Sequence, residues 1–180
     1  GYRHPDLGRR LTRQRLAAEA RILGRLQAMN FPSPSLLDFD QGQAWILMSK
    51  IDGLPLHDLL KNNSSGIESL EGLGALIRRL HEAGVSHGDL TTHNVMSSLE
   101  GRLHLIDFGL SRQSPELEHL GLDLQVLNEC LTASHSVLAG GVEAVLRGYL
   151  GADSNMPDME PARQVIERFR KISGRVRYHG

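Results

Sequence analysis

The stretch His87-Gly88-Asp89-Leu90-Thr91-Thr92-His93-Asn94, followed after a short apolar interval by Ile106-Asp107-Phe108-Gly109, constrains this chain more than any other feature. Two apolar runs, Asn94-Val95-Met96 and Leu103-His104-Leu105-Ile106, flank a turn supplied by residues 98–101, so the pattern predicts a tight hairpin between the two polar segments. A hairpin brings its two ends side by side. Asn94 at its entrance and Asp107 at its exit are therefore delivered to one place, next to the loop that carries Asp89. A lone Asp-Phe-Gly is a common loop tripeptide, and His-x-Asp alone says little. In this order, around a strand pair, coincidence is a poor explanation.

The rest of the chain supplies a setting for that hairpin. Residues 7–29 read as a long amphipathic helix, with Leu7, Leu11, Leu16, Ala20, Leu23 and Leu26 near helical spacing, ended by Phe31-Pro32-Ser33-Pro34. Strands are expected over 36–39 and 44–48, joined at Asp40-Gln41-Gly42-Gln43, with Asp52-Gly53 breaking the second. A short helix over 56–60 precedes the polar loop Asn62-Asn63-Ser64-Ser65-Gly66. A longer helix follows over 69–83, with Leu70, Leu73, Leu76, Ile77 and Leu80 on one face and Gly84 at its end. Residues 85–94 look irregular, and three further helices are expected over 120–133, 141–150 and 161–172. Strands cluster early and helices late, which predicts an α+β fold: a small sheet-plus-helix piece over 1–53, then a mainly helical lobe over 54–180.

Composition narrows the class. The chain has 180 residues, enough for one sizeable core, and its 40% hydrophobic and 23% charged content are ordinary for a globular domain. Aromatics are only 4%, so Leu, Val, Ile and Ala must fill the interior. Net charge of −1 argues against a bulk electrostatic partner, yet arginines crowd both ends: Arg9, Arg10, Arg13, Arg15, Arg21 and Arg25 early, Arg163, Arg168, Arg170, Lys171, Arg175 and Arg177 late. The single cysteine, Cys130, rules out an internal disulfide and suits a reducing compartment. With no apolar run of membrane-spanning length and no signal peptide, a cytoplasmic or nuclear location is expected. His57, His81, His93, His104, His119 and His135 lack metal-site spacing and read as structural or exposed.

The central stretch matches the protein-kinase pattern of His-x-Asp-Leu, an Asn five residues beyond the Asp, and Asp-Phe-Gly after a hairpin. In that reading Asp89 orients an attacking hydroxyl and accepts its proton. Hard oxygen donors from Asn94 and Asp107 suit Mg²⁺, which offsets negative charge on a transferring phosphoryl group. The likeness extends further. Tyr2-Arg3-His4-Pro5, Glu19-Ala20-Arg21, His87-Gly88-Asp89-Leu90-Thr91-Thr92, Ile106-Asp107-Phe108-Gly109-Leu110-Ser111 and Asp123-Leu124-x-Val126-Leu127 resemble the PRPK family, the small kinases of the KEOPS (EKC) complex in archaea and eukaryotes. The resemblance runs from Gly1 to Gly180 and includes the basic tail Arg175-Val176-Arg177. It implies a protein-kinase-like fold and an atypical serine/threonine kinase or ATPase using ATP and Mg²⁺. It also implies a place in a complex that supports threonylcarbamoyl modification of a tRNA adenosine. The implied partners are the complex's ATPase-fold modifying subunit, a small accessory subunit and tRNA.

Carried over position by position, the resemblance makes Asp89 the catalytic base and Asn94 and Asp107 the metal ligands. Glu19 becomes the partner of a phosphate-binding lysine, and Met48, Ser49, Lys50 and Ile51 the linker between lobes, where backbone groups of Ser49 and Ile51 hydrogen-bond adenine. Ser49 stands where the family usually has an acidic residue. Gly88 stands where most protein kinases carry Arg, which removes the reader of an activation-loop phosphate. Thr91 stands where many carry Lys, so less charge stabilisation and slow turnover are expected. Gly24 and Gly42 are isolated and no Lys precedes Lys50, so the glycine-rich loop and lysine strand are expected upstream of a truncated start. Weak ATP binding and an exposed sheet edge follow. The basic ends read equally well as solvated faces or, for Arg175 and Arg177, as tRNA contacts or a tail folded over the nucleotide cleft. A non-catalytic scaffold binding the same partners is the second reading. A RIO-type or aminoglycoside-phosphotransferase-like kinase fits Leu90-Thr91-Thr92 less well.

Overall fold

The computed structural model describes residues 5–62, 64 and 66–176; Tyr2-Arg3-His4 of the first motif and Arg177 of the tail lie outside them. Helix α1 (Pro5–Ala28) buries Ala20, Ile22, Leu23 and Leu26. It ends where Asn30 turns left-handed (φ 49°) and Phe31 N–H returns to the Leu26 carbonyl at 3.0 Å, just before Pro32. Strands β1 (Leu36–Asp40) and β2 (Trp45–Met48) form an antiparallel ribbon with Phe39 opposite Ile46. Leu36, Ile46 and Met48 pack on the core, while Leu37, Phe39, Trp45 and Leu47 face solvent. Among the described residues neither strand of this ribbon pairs with a third.

Gly53 does not end strand structure, as the breaker pattern suggested; it opens β3 (Gly53–Pro55). This strand pairs antiparallel with β5 (Val95–Ser98), after the intervening α2 (Leu56–Lys61), α3 (Ile67–Glu82), β4 (Val85–Ser86) and a 3-10 turn at Thr92–Asn94. A Cβ at position 53 would lie 2.0 Å from the Ser97 carbonyl oxygen, so only glycine lets the two strands close. β5 turns back into β6 (Leu103–Leu105), completing the expected hairpin. Residues 85–94 are less irregular than expected, because β4 pairs with β7 (Arg112–Gln113) just beyond the hairpin.

The helical lobe is built on α3. Leu70, Leu73, Ile77 and Leu80 have no exposed surface. α3 crosses α5 (Gly141–Gly151) with backbones in contact, because Gly74 and Gly148 face each other's helix. A Cβ on either would meet the Val145 or Glu71 carbonyl oxygen at 1.9 or 1.8 Å. α4 (Leu117–Ser134) and α6 (Ala162–Val176) pack together beside this pair, with Leu120, Leu124, Val165, Ile166 and Phe169 buried. Arg78, 1% exposed, is satisfied by Glu82 Oε1 (3.0 Å), Asp153 Oδ1 (2.7 Å) and the Glu160 carbonyl (2.9 Å), as a buried cation requires. Among the described residues no helix is long and apolar enough to cross a membrane.

Candidate active site

The hairpin does what its length predicts. Val95 pairs with Leu105, and Ile106 N–H donates to the Asn94 carbonyl at 3.0 Å, setting Asp107 beside Asn94. The Asn94 amide reaches back across its own loop. Its Nδ2 donates to the Asp89 carbonyl (2.8 Å) and to Asp89 Oδ2 (3.1 Å). A carbonyl can only accept, so the amide's orientation is settled, and Oδ1 is left as its free acceptor. Asp107 is held in the left-handed region (φ 61°), a strained conformation characteristic of functional turns, and Phe108 behind it is fully buried. From α1, Glu19 Oε1 accepts the Phe108 N–H at 3.2 Å. Burial raises the Glu19 pKa, against the pull of that amide and with the nearby Asp107 charge adding to the rise. The structure therefore brings Asp89, Asn94, Asp107 and Glu19 together.

A buried framework fixes the loop. His87 has no exposed surface; its Nε2 donates to the Ile106 carbonyl (3.0 Å), while Nδ1 accepts the Asp89 N–H (3.3 Å). Beneath it Asp123, 2% exposed on α4, accepts His87 N–H at 2.6 Å, Gly88 N–H at 2.8 Å and His81 Nε2 at 3.1 Å. Asp123 was not singled out from sequence as a site residue. Its signal was there: a carboxylate among Leu120, Leu124, Leu127 and Leu131, on a helix face otherwise apolar. The segment after Asp107 is equally tied down. Ser111 Oγ donates to the His87 carbonyl, β7 pairs with β4, and Ser114 N–H donates to the Gly84 carbonyl. No long mobile activation segment fits in that span, in keeping with glycine at 88.

Burial pushes the His87 pKa down, against the opposing pull of Asp123, the Ile106 carbonyl, Asp107 and Asp89, and burial likewise lowers His57 and His135. Burial disfavours the protonated form of these rings in the folded chain, whereas unfolding frees them to take up protons below about 6.5. Stability is thus expected to fall as pH drops from that value toward their lowered ones, and the urea midpoint should be lower at pH 5.5 than at pH 7.5.

The linker is more constrained than expected. Ser49 N–H donates to the Ser35 carbonyl at 2.9 Å, and Ser49 Oγ accepts the Ser35 N–H at 2.8 Å. Its N–H and its hydroxyl are thus both tied to Ser35, the residue that precedes β1. Met48 is partly buried and Ile51 half-buried nearby. Lys50 forms an exposed pair with Asp52 at 2.8 Å and takes no part in the site. Arg175 is exposed on the last turn of α6, whose main packing partners are α4 and α5.

A family model described as the lipopolysaccharide kinase (Kdo/WaaP) family matches residues 3–149. The KEOPS complex subunit Bud32 of Pyrococcus abyssi is 33% identical over 180 residues, spanning 98% of this chain and 80% of that protein. The EKC/KEOPS complex subunit bud32 of Aspergillus clavatus is 34% identical over 212 residues, spanning 90% of this chain and 76% of its own length. A probable bifunctional tRNA threonylcarbamoyladenosine biosynthesis protein of Methanothermobacter thermautotrophicus is 34% identical over 179 residues; the chain spans 31% of it.

Proposed function

The chain belongs to the lipopolysaccharide kinase (Kdo/WaaP) family and to the Bud32 proteins among KEOPS subunits, and on that premise we propose that it is the atypical kinase or ATPase of such a complex, supporting threonylcarbamoyladenosine modification of tRNA. In the finer reading it moves the terminal phosphoryl group of ATP to a serine or threonine hydroxyl, or to water. Asp89 orients that nucleophile and accepts its proton. Asn94 Oδ1 and Asp107 would hold Mg²⁺, a cation that takes few protein ligands and keeps waters and phosphate oxygens; this donor set fits it. The ion's contribution when bound is to offset charge on the phosphates. The observation that carries the reading is the double hydrogen bond from Asn94 to Asp89, which sets a base and an amide oxygen on one loop beside Asp107.

Residues 1–53 then belong to a small N-lobe and 54–180 to the C-lobe and its basic tail. Adenine would lie against Met48, with the Ser49 carbonyl and the Ile51 backbone as its partners. Arg175 and Arg177 are the proposed tRNA contacts, the modifying ATPase-fold subunit and a small accessory subunit the proposed protein partners, and cytoplasm or nucleus the proposed location. The second reading is a non-catalytic scaffold that binds the same partners. The test is Mg²⁺-dependent ATP turnover by the full chain and by Asp89→Ala. A drop of about 100-fold or more is expected from loss of the base. Equal rates would remove catalysis and leave the scaffold.

A further inference from the structure

Beneath the Asp89 loop lies a hydroxyl whose hydrogen-bonding capacity is fully used. Thr92 has no exposed surface, and three groups from beyond the loop converge on its Oγ1. They are His57 Nδ1 from α2 at 3.3 Å, His135 Nε2 just past α4 at 3.0 Å, and Cys130 Sγ on α4 at 3.4 Å. A hydroxyl has one proton and two lone pairs, and a neutral imidazole nitrogen can serve either role, so three partners complete the set. Both rings are buried, and burial lowers the pKa of each, favouring the neutral form. His57 also stacks on His93 with centroids 3.7 Å apart and meets His135 edge-on at 4.9 Å. One side chain of α2 therefore grips two successive loop residues, Thr92 through its hydroxyl and His93 through its ring. The next residue is Asn94, whose amide holds Asp89.

The hydrogen bonds and ring contacts that join Thr92, His57, His93, His135 and Cys130 run among themselves rather than to the side chains of Asp89, Asn94 or Asp107, so their convergence has no part in the chemistry already described. We propose that Thr92, His57 and His135 are positioning residues: a hydroxyl-imidazole lock that anchors the loop to α2 and α4 and thereby fixes Asn94 and Asp89 in register. The proposal rests on the reading of Asp89 as the catalytic base. A buried lock of this kind acts on the placement of the base rather than on nucleotide affinity, since it lies behind the loop.

Two substitutions separate the hydroxyl from the space it fills. Thr92→Val keeps the shape and deletes the hydrogen bonds; Thr92→Ser keeps the hydroxyl. In the full chain, Thr92→Val should lower kcat for Mg²⁺-dependent ATP turnover by about tenfold or more, as misplacement of a catalytic group does, with KM within about twofold. Amide hydrogen exchange, which is readable without turnover, should quicken by about tenfold or more over residues 87–94 while α3 is unchanged. Thr92→Ser should restore both, and His135→Leu should reproduce Thr92→Val without adding to it in the double variant. An unchanged kcat and unchanged loop exchange in Thr92→Val would overturn the lock. So would exchange that quickens equally in α3, since the hydroxyl would then serve only the stability of the whole fold. Asp89→Ala separates the two levels. If it turns over ATP like the parent, the base itself is misassigned and the lock falls with it. If it is inactive while Thr92→Val is not, only the lock falls.

Discussion

Asp123→Ala is expected to abolish measurable ATP turnover and to cost the fold about 3–5 kcal/mol, the range for removing one partner from a buried charged cluster. The carboxylate is 2% exposed and receives three donors: the His87 and Gly88 amides at 2.6 and 2.8 Å and His81 Nε2 at 3.1 Å. Alanine leaves all three without a partner in a site water cannot reach, and each orphaned buried donor costs about 1–3 kcal/mol. The loss does not stay local. His81 Nδ1 faces the Tyr149 hydroxyl at 2.7 Å, and the Arg78 guanidinium lies 5.6 Å from the Tyr149 ring centroid. The cluster thus continues into the α3–α5 crossing. On its other side, the two amides belong to the peptide units leading into Asp89, so a loosened Asp123 moves the base directly. Because domains of this size are stable by only about 5–15 kcal/mol, the variant should sit near the edge of folding. Urea unfolding monitored by circular dichroism, with ATP turnover on the folded fraction, measures both effects. Asp123→Asn should be milder in stability, retaining one acceptor oxygen while turning its NH₂ toward a donor. A cost below about 1 kcal/mol for the alanine variant would mean the three donors find other partners on relaxation.

What could be read from the chain, and what could not, follows from how far apart the cooperating residues lie. Asp89, Asn94 and Asp107 were legible because hairpin arithmetic joins them: fixed pairing from Val95 to Leu105 decides where Asp107 arrives. The Leu70, Leu73, Ile77, Leu80 stripe announced α3, since a helical period on that scale has few competing explanations. β4 and β7 were illegible because two residues carry no periodicity, and their pairing joins positions 85–86 to 112–113. Gly53 misled for a physical reason. A glycine that permits close approach of Ser97 looks, in one dimension, the same as a glycine that ends a strand. Which backbone group of Ser49 is engaged is equally invisible in the sequence: its N–H goes to Ser35, fourteen residues earlier, a partner no local rule names. The Thr92 cluster is the extreme case. It gathers residues 57, 92, 130 and 135 at one oxygen, and no spacing in the chain relates them.

Gly88→Ala is the second large effect, and its size can be divided in advance. Gly88 sits at φ +82°, and a Cβ there would lie 2.3 Å from the Leu110 carbonyl oxygen and 2.9 Å from its carbon. The left-handed conformation costs a side-chain-bearing residue about 1–2 kcal/mol. The overlap is with backbone, not with the end of a flexible side chain, so relief requires the 108–111 segment to move, and overpacking of that kind costs about 1–3 kcal/mol more. Gly101 provides the control. It has nearly the same φ, +76°, in the hairpin turn, with nothing within 4 Å of a built Cβ. Gly101→Ala should therefore show the conformational cost alone, and the difference between the two variants measures the collision. Turnover adds a second division. Gly101→Ala should retain the parent rate, whereas Gly88→Ala displaces the stretch joining Phe108 to Ser111 and should lose most of it. Arginine, the residue usual at this position in protein kinases, would meet the same carbonyl through its own Cβ. Gly88→Arg should thus be at least as destabilising as alanine and gain no response to a phosphate on the following segment. Equal stability losses in Gly88→Ala and Gly101→Ala would show that residues 108–111 yield freely, and the close packing of the two loops would then impose no requirement for glycine.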